Sequence, residues 1–112
     1  MSKRVKIPFL PQFKDPMLSG QKTITSRTRR YGQTGDTFLA WGEVFEIREV
    51  THVLLSSVRD RYYQQEGFAS PEAFEACWNV LHPIRGYRRL SVPDQSVYAH
   101  SFQKLEKEGV AK

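Results

Sequence analysis

Several features that would assign the chain to a large class of proteins are missing from its 112 residues. No apolar run approaches the roughly 18 residues that a membrane-spanning helix requires. Cys77 is the only cysteine, so an internal disulfide is excluded and a reducing compartment is expected. Pro8 and Pro11, and not an apolar segment, follow the basic N-terminus, which argues against an export signal. These absences predict one soluble, cytoplasmic domain with no membrane contact.

The sequence also lacks the motifs of several large enzyme classes. It contains no glycine-rich phosphate loop and no Ser-His-Asp order typical of serine hydrolases. Its three histidines, His52, His82 and His100, have no second ligand at the spacing that a zinc site uses. They are expected to be ordinary polar residues of strands and helix ends. We therefore expect neither a metal ion nor another cofactor.

Basic residues outnumber acidic ones, with 17 Lys and Arg against 12 Asp and Glu, a net charge of +5 and a pI of about 9.6. An excess of positive charge favours a polyanionic partner such as a nucleic acid. The basic side chains concentrate in two segments, the first with Lys22, Arg27, Arg29 and Arg30 and the second with Arg85, Arg88 and Arg89. The alternative is that both segments are ordinary solvated surface.

Hydrophobic periodicity and turn residues divide the chain into strands and helices. Apolar and β-branched patterns predict strands at 3–9, 22–28, 36–41, 44–54 and 95–103. Helices are predicted from Asp15-Pro16 to Gly20, from Ser57 to about Glu66, and from Ser70-Pro71 to His82. Phe74, Cys77, Trp78 and Leu81 form the apolar stripe of the last helix. We predict one α+β domain over residues 1–103, a curved sheet or small barrel flanked by helices, and a charged tail over 104–112.

Residues 20–27, GQKTITSR, offer an amine, hydroxyls and a guanidinium at the boundary between a helix and a strand. Lys22 is a candidate base, Thr25 a candidate nucleophile and Arg27 a candidate bidentate anchor. The alternative is a polar, threonine-rich strand with one solvent face. In an ideal strand, Thr25 and Arg27 share a face and Lys22 points the other way. Lys22 and Thr25 therefore converge only if Lys22 lies in the turn after Gly20, or if a bulge intervenes.

The same segment, extended to residues 17–27 (MLSGQKTITSR) and followed by Gly35-Asp36, resembles the signature of the ASCH domain superfamily. Weaker similarities lie at 64–68 (QQEGF), from Trp78 to His82-Pro83, and at 97–102 (VYAHSF). The resemblance implies a PUA-like small β-barrel of about five or six strands flanked by short helices, and an association with RNA. Many superfamily members carry glutamate where this chain has Thr25. The Lys-Thr-x-Thr-x-Arg form is most similar to small bacterial amidohydrolases that deacetylate N4-acetylcytidine.

That resemblance implies a catalytic group of Lys22, Thr25 and Glu66. Lys22 would take the proton from Thr25, Thr25 would attack the acetyl carbonyl, and Glu66 would orient the lysine or shuttle a proton to the leaving amine. The proposed substrate-binding residues are Gly20, Arg27, Arg29 and Trp41.

Arg27 or backbone N–H groups after Gly20 would stabilise the oxyanion, and Trp41 or Tyr31 would stack on a base, although packing roles are an alternative for both rings. The departures from the amidohydrolase pattern are Arg29-Arg30 and the arginine-rich stretch 82–93, which favour a longer RNA over a free nucleoside. The expected partner is thus a nucleoside or RNA. Two alternatives remain, a non-catalytic RNA-binding module and an ASCH-type ribonuclease.

Overall fold

The computed structural model of the protein describes residues 2–82 and 95–106. The strands in this part of the chain are β1 (Arg4–Val5), β2 (Ile24–Arg27), β3 (Thr37–Ala40), β4 (Glu43–Leu54) and β5 (Ser96–Lys104). The helices are α1 (Lys14–Ser19), α2 (Leu55–Arg61) and α3 (Pro71–Leu81), and one 3-10 turn, Pro11–Phe13, precedes α1. No helix within these described ranges has the length and hydropathy needed to cross a membrane.

The strands form one mixed sheet in the order β1-β3-β4-β5-β2. The long strands β4 and β5 pair antiparallel at its centre, with a register irregularity between Ile47 and Glu49. β1 pairs parallel with β3, and β2 pairs antiparallel with β5. The predicted α+β class and five strands are confirmed.

The predicted barrel is not closed, because β1 and β2 remain the two edges of the sheet across the described residues. β1 has two residues, and Pro8 soon after it has no N–H to donate to a neighbouring strand. A side chain connects the two edge regions instead: Nη2 of Arg27 donates to the backbone oxygen of Pro8 at 2.6 Å.

The main core lies between the sheet and the N-terminal segment. Phe38, Phe45 and Phe102 pack their rings together with centroids 5.3–5.6 Å apart, and all three are buried. A second cluster joins α2 and α3 to β5 through the buried residues Val58, Phe74, Trp78 and Val97. The apolar stripe predicted for α3 therefore does face the interior at Phe74 and Trp78.

Two helix predictions are met closely and one is not. Ser70 caps α3 as predicted, since its Oγ accepts a hydrogen bond from the Ala73 amide at 3.1 Å. Gly20 ends α1 in the left-handed region, with φ of 89°. In contrast, the helix predicted from Ser57 to Glu66 begins at Leu55 and ends at Arg61, with Leu54 as a cap that makes no side-chain hydrogen bond. Residues 62–67 form turns instead.

The last strand runs past the predicted start of the tail. Lys104 lies opposite Phe45 in the sheet, and the Leu105 amide donates to the Val44 carbonyl at 2.8 Å. The chain therefore stays attached to the sheet through Leu105. The rest of the predicted tail, from 107 to 112, lies outside the described residues.

Candidate active site

A cleft of about 320 Å³ opens between β2, the N-terminal segment and α3. Most of its walls are apolar and include Phe9, Phe13, Phe68, Phe74 and Trp78. Several of its polar residues come from β2, from the residues that flank this strand and from the turn after α2, namely Lys22, Thr25, Ser26, Arg27, Thr28 and Glu66. The cleft thus combines apolar walls with a small set of converging polar groups, which is typical of small-molecule sites.

Lys22 lies in the extended segment between Gly20 and β2, and not in the strand itself. Its side chain is buried, and its ammonium donates to the Ile24 carbonyl at 2.8 Å, to the Glu66 carbonyl at 2.7 Å and to Glu66 Oε1 at 3.3 Å. Burial lowers the pKa of Lys22, and the Glu66 carboxylate partly opposes this effect. The Lys22 ammonium therefore links the start of β2 to Glu66.

Glu66 reaches Lys22 because the turn at residues 62–67 docks on the start of β2. The backbone oxygen of Gln65 accepts hydrogen bonds from the Thr23 and Ile24 amides at 2.7 and 3.1 Å. Gly67 has a φ of 98°, and a β-carbon at this position would lie 3.3 Å from Lys22 Cβ. The glycine therefore permits both the left-handed turn and the close approach of the lysine side chain.

Two neighbouring hydroxyls in β2 have different partners. Ser26 Oγ donates to Glu66 Oε2 at 2.6 Å, whereas Thr25 Oγ1 accepts from Arg27 Nε at 2.9 Å. In the described structure, no hydrogen bond joins Thr25 to Lys22 or Glu66. Alternation along the strand explains the division, because Thr25 and Arg27 share one face and Ser26 points to the other. Ser26 was not among the residues proposed from the sequence, although it shares strand parity with Lys22.

Arg27 is held in place by several groups. Besides its bonds to Thr25 and Pro8, its guanidinium lies 5.0 Å from the ring centroid of Phe9 and 5.4 Å from that of Tyr31. Partial burial lowers its pKa. The Arg29 guanidinium lies 4.4 Å from the centroid of the Tyr31 ring. A hydrogen bond from Arg29 lowers the pKa of Tyr31.

His100 lies on β5 and pairs with Thr25 of β2 in the sheet. The ring is fully buried; Nε2 accepts from the Tyr31 amide at 3.1 Å, and Nδ1 faces the Thr25 carbonyl at 3.2 Å. These partners fit a neutral imidazole with its proton on Nδ1, because an amide can only donate and a carbonyl can only accept. Burial lowers the pKa of His100. This role was not predicted from the sequence.

The structure brings together some of the residues proposed from the sequence and separates others. Lys22, Thr25, Arg27 and Glu66 all line the cleft, and their catalytic and binding roles remain predictions. Gly20, Arg29 and Trp41 are not among the lining residues. The Trp41 ring packs against Phe9 at a centroid distance of 6.0 Å, which accounts for it as a packing residue. Arg85, Arg88 and Arg89 lie outside the described residues.

Comparison with known proteins relates this architecture to a defined class. No protein-family model and no curated protein matches the chain. Solved structures do match: the hypothetical protein PH0355 superposes with a TM-score of 0.67 at 11% identity, over 94% of this chain and 100% of that one.

Two bacterial structures show the same similarity. An ASCH domain from Lactobacillus crispatus JV V101 superposes with a TM-score of 0.63 at 16% identity, covering 92% of this chain and 79% of that one. Protein EF3133 from Enterococcus faecalis V583, described with the family name DUF984, gives 0.58 at 16% identity, over 93% and 79%. The chain therefore has the fold of the ASCH domain, and the resemblance seen in the sequence is confirmed at the level of the fold.

Proposed function

We propose that this protein is an amidohydrolase that removes the acetyl group from N4-acetylcytidine or a related acylated cytosine nucleoside. The observation that carries the proposal is the buried Lys22–Glu66 pair, with Nζ and Oε1 3.3 Å apart, inside a cleft that Thr25 and Ser26 also line. Buried charged pairs often cost more in desolvation than their attraction returns, so their presence in a cleft favours a functional role.

The cleft contains each group that acyl transfer requires. A hydroxyl serves as nucleophile, and the resemblance assigns that part to Thr25. The Lys22–Glu66 pair provides a site where a proton is held and returned, and the lowered pKa of Lys22 increases its neutral, basic fraction. The remaining N–H groups of Arg27 would stabilise the oxyanion in this proposal. The apolar walls suit the flat face of a pyrimidine.

Steady-state turnover of N4-acetylcytidine tests the proposal. Purified protein should release cytidine and acetate in equal amounts, measured by liquid chromatography with mass spectrometry. Lys22→Met and Glu66→Gln should each lower kcat by about 10²-fold or more, because each removes part of the proton network. Arg48→Met removes the guanidinium charge from an exposed pair with Glu46 and serves as the matched control. Turnover equal to a protein-free blank would refute the proposal.

RNA binding is the second candidate, and a specific surface feature favours it. Arg30 lies 6.0 Å from the Tyr98 ring centroid, and Tyr98 stacks on His52 at 4.5 Å with the rings 6° from parallel. Together with Arg29 and Tyr31, these residues are here called the cation–aromatic strip. Alternating cations and rings suit a single-stranded nucleic acid, because the cations contact phosphates and the rings stack on bases.

Binding of a single-stranded RNA oligonucleotide at several salt concentrations tests this second candidate. If the two arginines of the strip neutralise about two phosphates, the logarithm of the affinity should fall with the logarithm of salt concentration with a slope of roughly −1.4. Combining Arg29→Ala with Arg30→Ala should flatten the slope, whereas Arg48→Ala should not. Absence of binding at low salt would exclude the module, and shortening of the oligonucleotide would indicate a ribonuclease.

A further inference from the structure

We propose that the hydroxyl attacking the acetyl carbonyl is that of Ser26, with Glu66 as the base that receives its proton. The inference rests on the proposed deacetylase function and changes the assignment of the nucleophile within it. The geometry that points to it is the 2.6 Å hydrogen bond from Ser26 Oγ to Glu66 Oε2. No such bond joins Thr25 to an acceptor side chain among the described residues.

The direction of each hydrogen bond decides which hydroxyl is the better nucleophile. Ser26 donates into a carboxylate, which increases the electron density on its oxygen and gives its proton a defined destination. Thr25 Oγ1 instead accepts a hydrogen bond from the Arg27 guanidinium, which withdraws electron density from the oxygen that would have to attack. Thr25 thereby acts as a positioning residue that fixes the orientation of Arg27.

Glu66 is itself held for this role by Lys22. The ammonium contacts Oε1 at 3.3 Å, so Oε2 is the oxygen left to pair with Ser26. Lys22 also donates to the Glu66 carbonyl at 2.7 Å, and this bond fixes the backbone from which the carboxylate extends. Both Ser26 and Glu66 line the cleft, so an acyl group bound there would lie next to them.

The reaction balances through Ser26 and Glu66 with water as the second reactant. Ser26 Oγ forms a bond to the acetyl carbon, and its proton passes to Glu66 Oε2. The bond between that carbon and cytosine N4 then breaks, N4 takes the proton from Glu66, and the acetyl ester of Ser26 remains. Water adds to the ester carbon and gives a proton to Glu66. The carbon–Oγ bond breaks, Ser26 regains this proton, and acetate leaves.

An activated ester tests the nucleophile separately from the natural substrate. We would mix the protein with p-nitrophenyl acetate, follow the burst of nitrophenolate, and locate the acetyl group by peptide fragmentation that separates Thr25 from Ser26. The acetyl group should be found on Ser26. Ser26→Ala should abolish the burst and lower turnover of N4-acetylcytidine by about 10²-fold or more. Ser19→Ala, on the exposed end of α1, is the matched control for removal of a serine hydroxyl.

Two further variants keep the test decisive if Ser26→Ala is poorly folded. Ser26→Cys keeps the size and supplies a thiol, so the acetyl group should appear there as a thioester. Thr25→Val should slow turnover through the position of Arg27 and still leave the acetyl group on Ser26. An acetyl group on Thr25, or cytidine formation with neither hydroxyl acetylated, would overturn the inference. Acetylation of Ser26 without turnover of N4-acetylcytidine would instead refute the proposed substrate alone.

Discussion

Replacing Lys22 by Met should destabilise the protein strongly, because it leaves a buried carboxylate without its cation. The side chains of Lys22 and Glu66 are 2% and 4% exposed, so water does not replace the lost partner. Removing one member of a buried ion pair costs about 3–5 kcal/mol. Methionine preserves most of the volume of the lysine stem, so the loss reports on charge and hydrogen bonding and not on a cavity.

The matched control is Arg48→Met. Arg48 pairs with Glu46 at 3.2 Å, but the two side chains are 51% and 30% exposed. Exposed pairs contribute about 0–1 kcal/mol because solvent screens them. Arg48→Met therefore measures the loss of one partner from an ion pair that is exposed to solvent.

Urea unfolding followed by circular dichroism measures both variants, with the free energy taken from linear extrapolation. Adding Glu66→Leu to Lys22→Met should recover part of the loss, because the uncompensated charge is then gone. A loss of less than about 1 kcal/mol in the free energy of unfolding of Lys22→Met, or no recovery of it in the double variant, would contradict this prediction.

Variants at three other positions test further contacts of the fold. The pKa of His100 in the folded protein lies below its ordinary value of about 6.5. Below that pH the unfolded state binds the additional proton, so the free energy of unfolding decreases as the pH falls. The decrease ends once the pH is below the pKa of the folded state. His100→Gln should reduce this slope, measured from urea midpoints between about pH 7.5 and 5. Gly67→Ala should cost about 1–2 kcal/mol in the same assay, because alanine is strained at a φ of 98° and its methyl group would contact Lys22; an unchanged midpoint would contradict this. Asp36→Ala should cost about 2–4 kcal/mol, since buried Asp36 accepts from the Lys3 and Gln33 amides at 3.0 Å each, and Asp36→Asn should cost less. Equal losses would contradict this and would attribute the whole effect to the carboxylate that both variants remove.

Local signals in the sequence predict much of the fold. The Ser70-Pro71 start of α3 and the stop at Gly20 are both correct because each depends on residues a few positions apart. The predicted end of α2 is wrong because the sequence pattern extends the helix toward Glu66. In the structure the chain turns there, and the Gln65 carbonyl accepts hydrogen bonds from the Thr23 and Ile24 amides. Closure of the sheet is also not readable from strand patterns, since it depends on how far apart the edges lie in three dimensions.

The candidate site is predicted only in part, because short-range signals reveal some of its residues and contacts between distant elements determine the others. Strand parity agrees with the hydrogen bonds, since Lys22 and Ser26 both contact Glu66 whereas Thr25 contacts Arg27. The family resemblance supplies Glu66, which is 44 residues from Lys22 in sequence. Ser26 and His100 were missed because their importance comes from partners in distant elements. A buried serine and a buried histidine carry no sequence pattern that distinguishes them from ordinary strand residues.

The most direct test of the account is hydrolysis of N4-acetylcytidine in water that carries isotopically heavy oxygen. Attack on the acetyl carbonyl predicts unlabelled cytidine together with acetate that contains one heavy oxygen, at a rate that Glu66→Gln lowers by about 10²-fold or more. The label in uridine, with release of acetamide, would show attack on the cytosine ring instead. That result, or no product from folded protein, would contradict the assignment of this cleft to deacetylation.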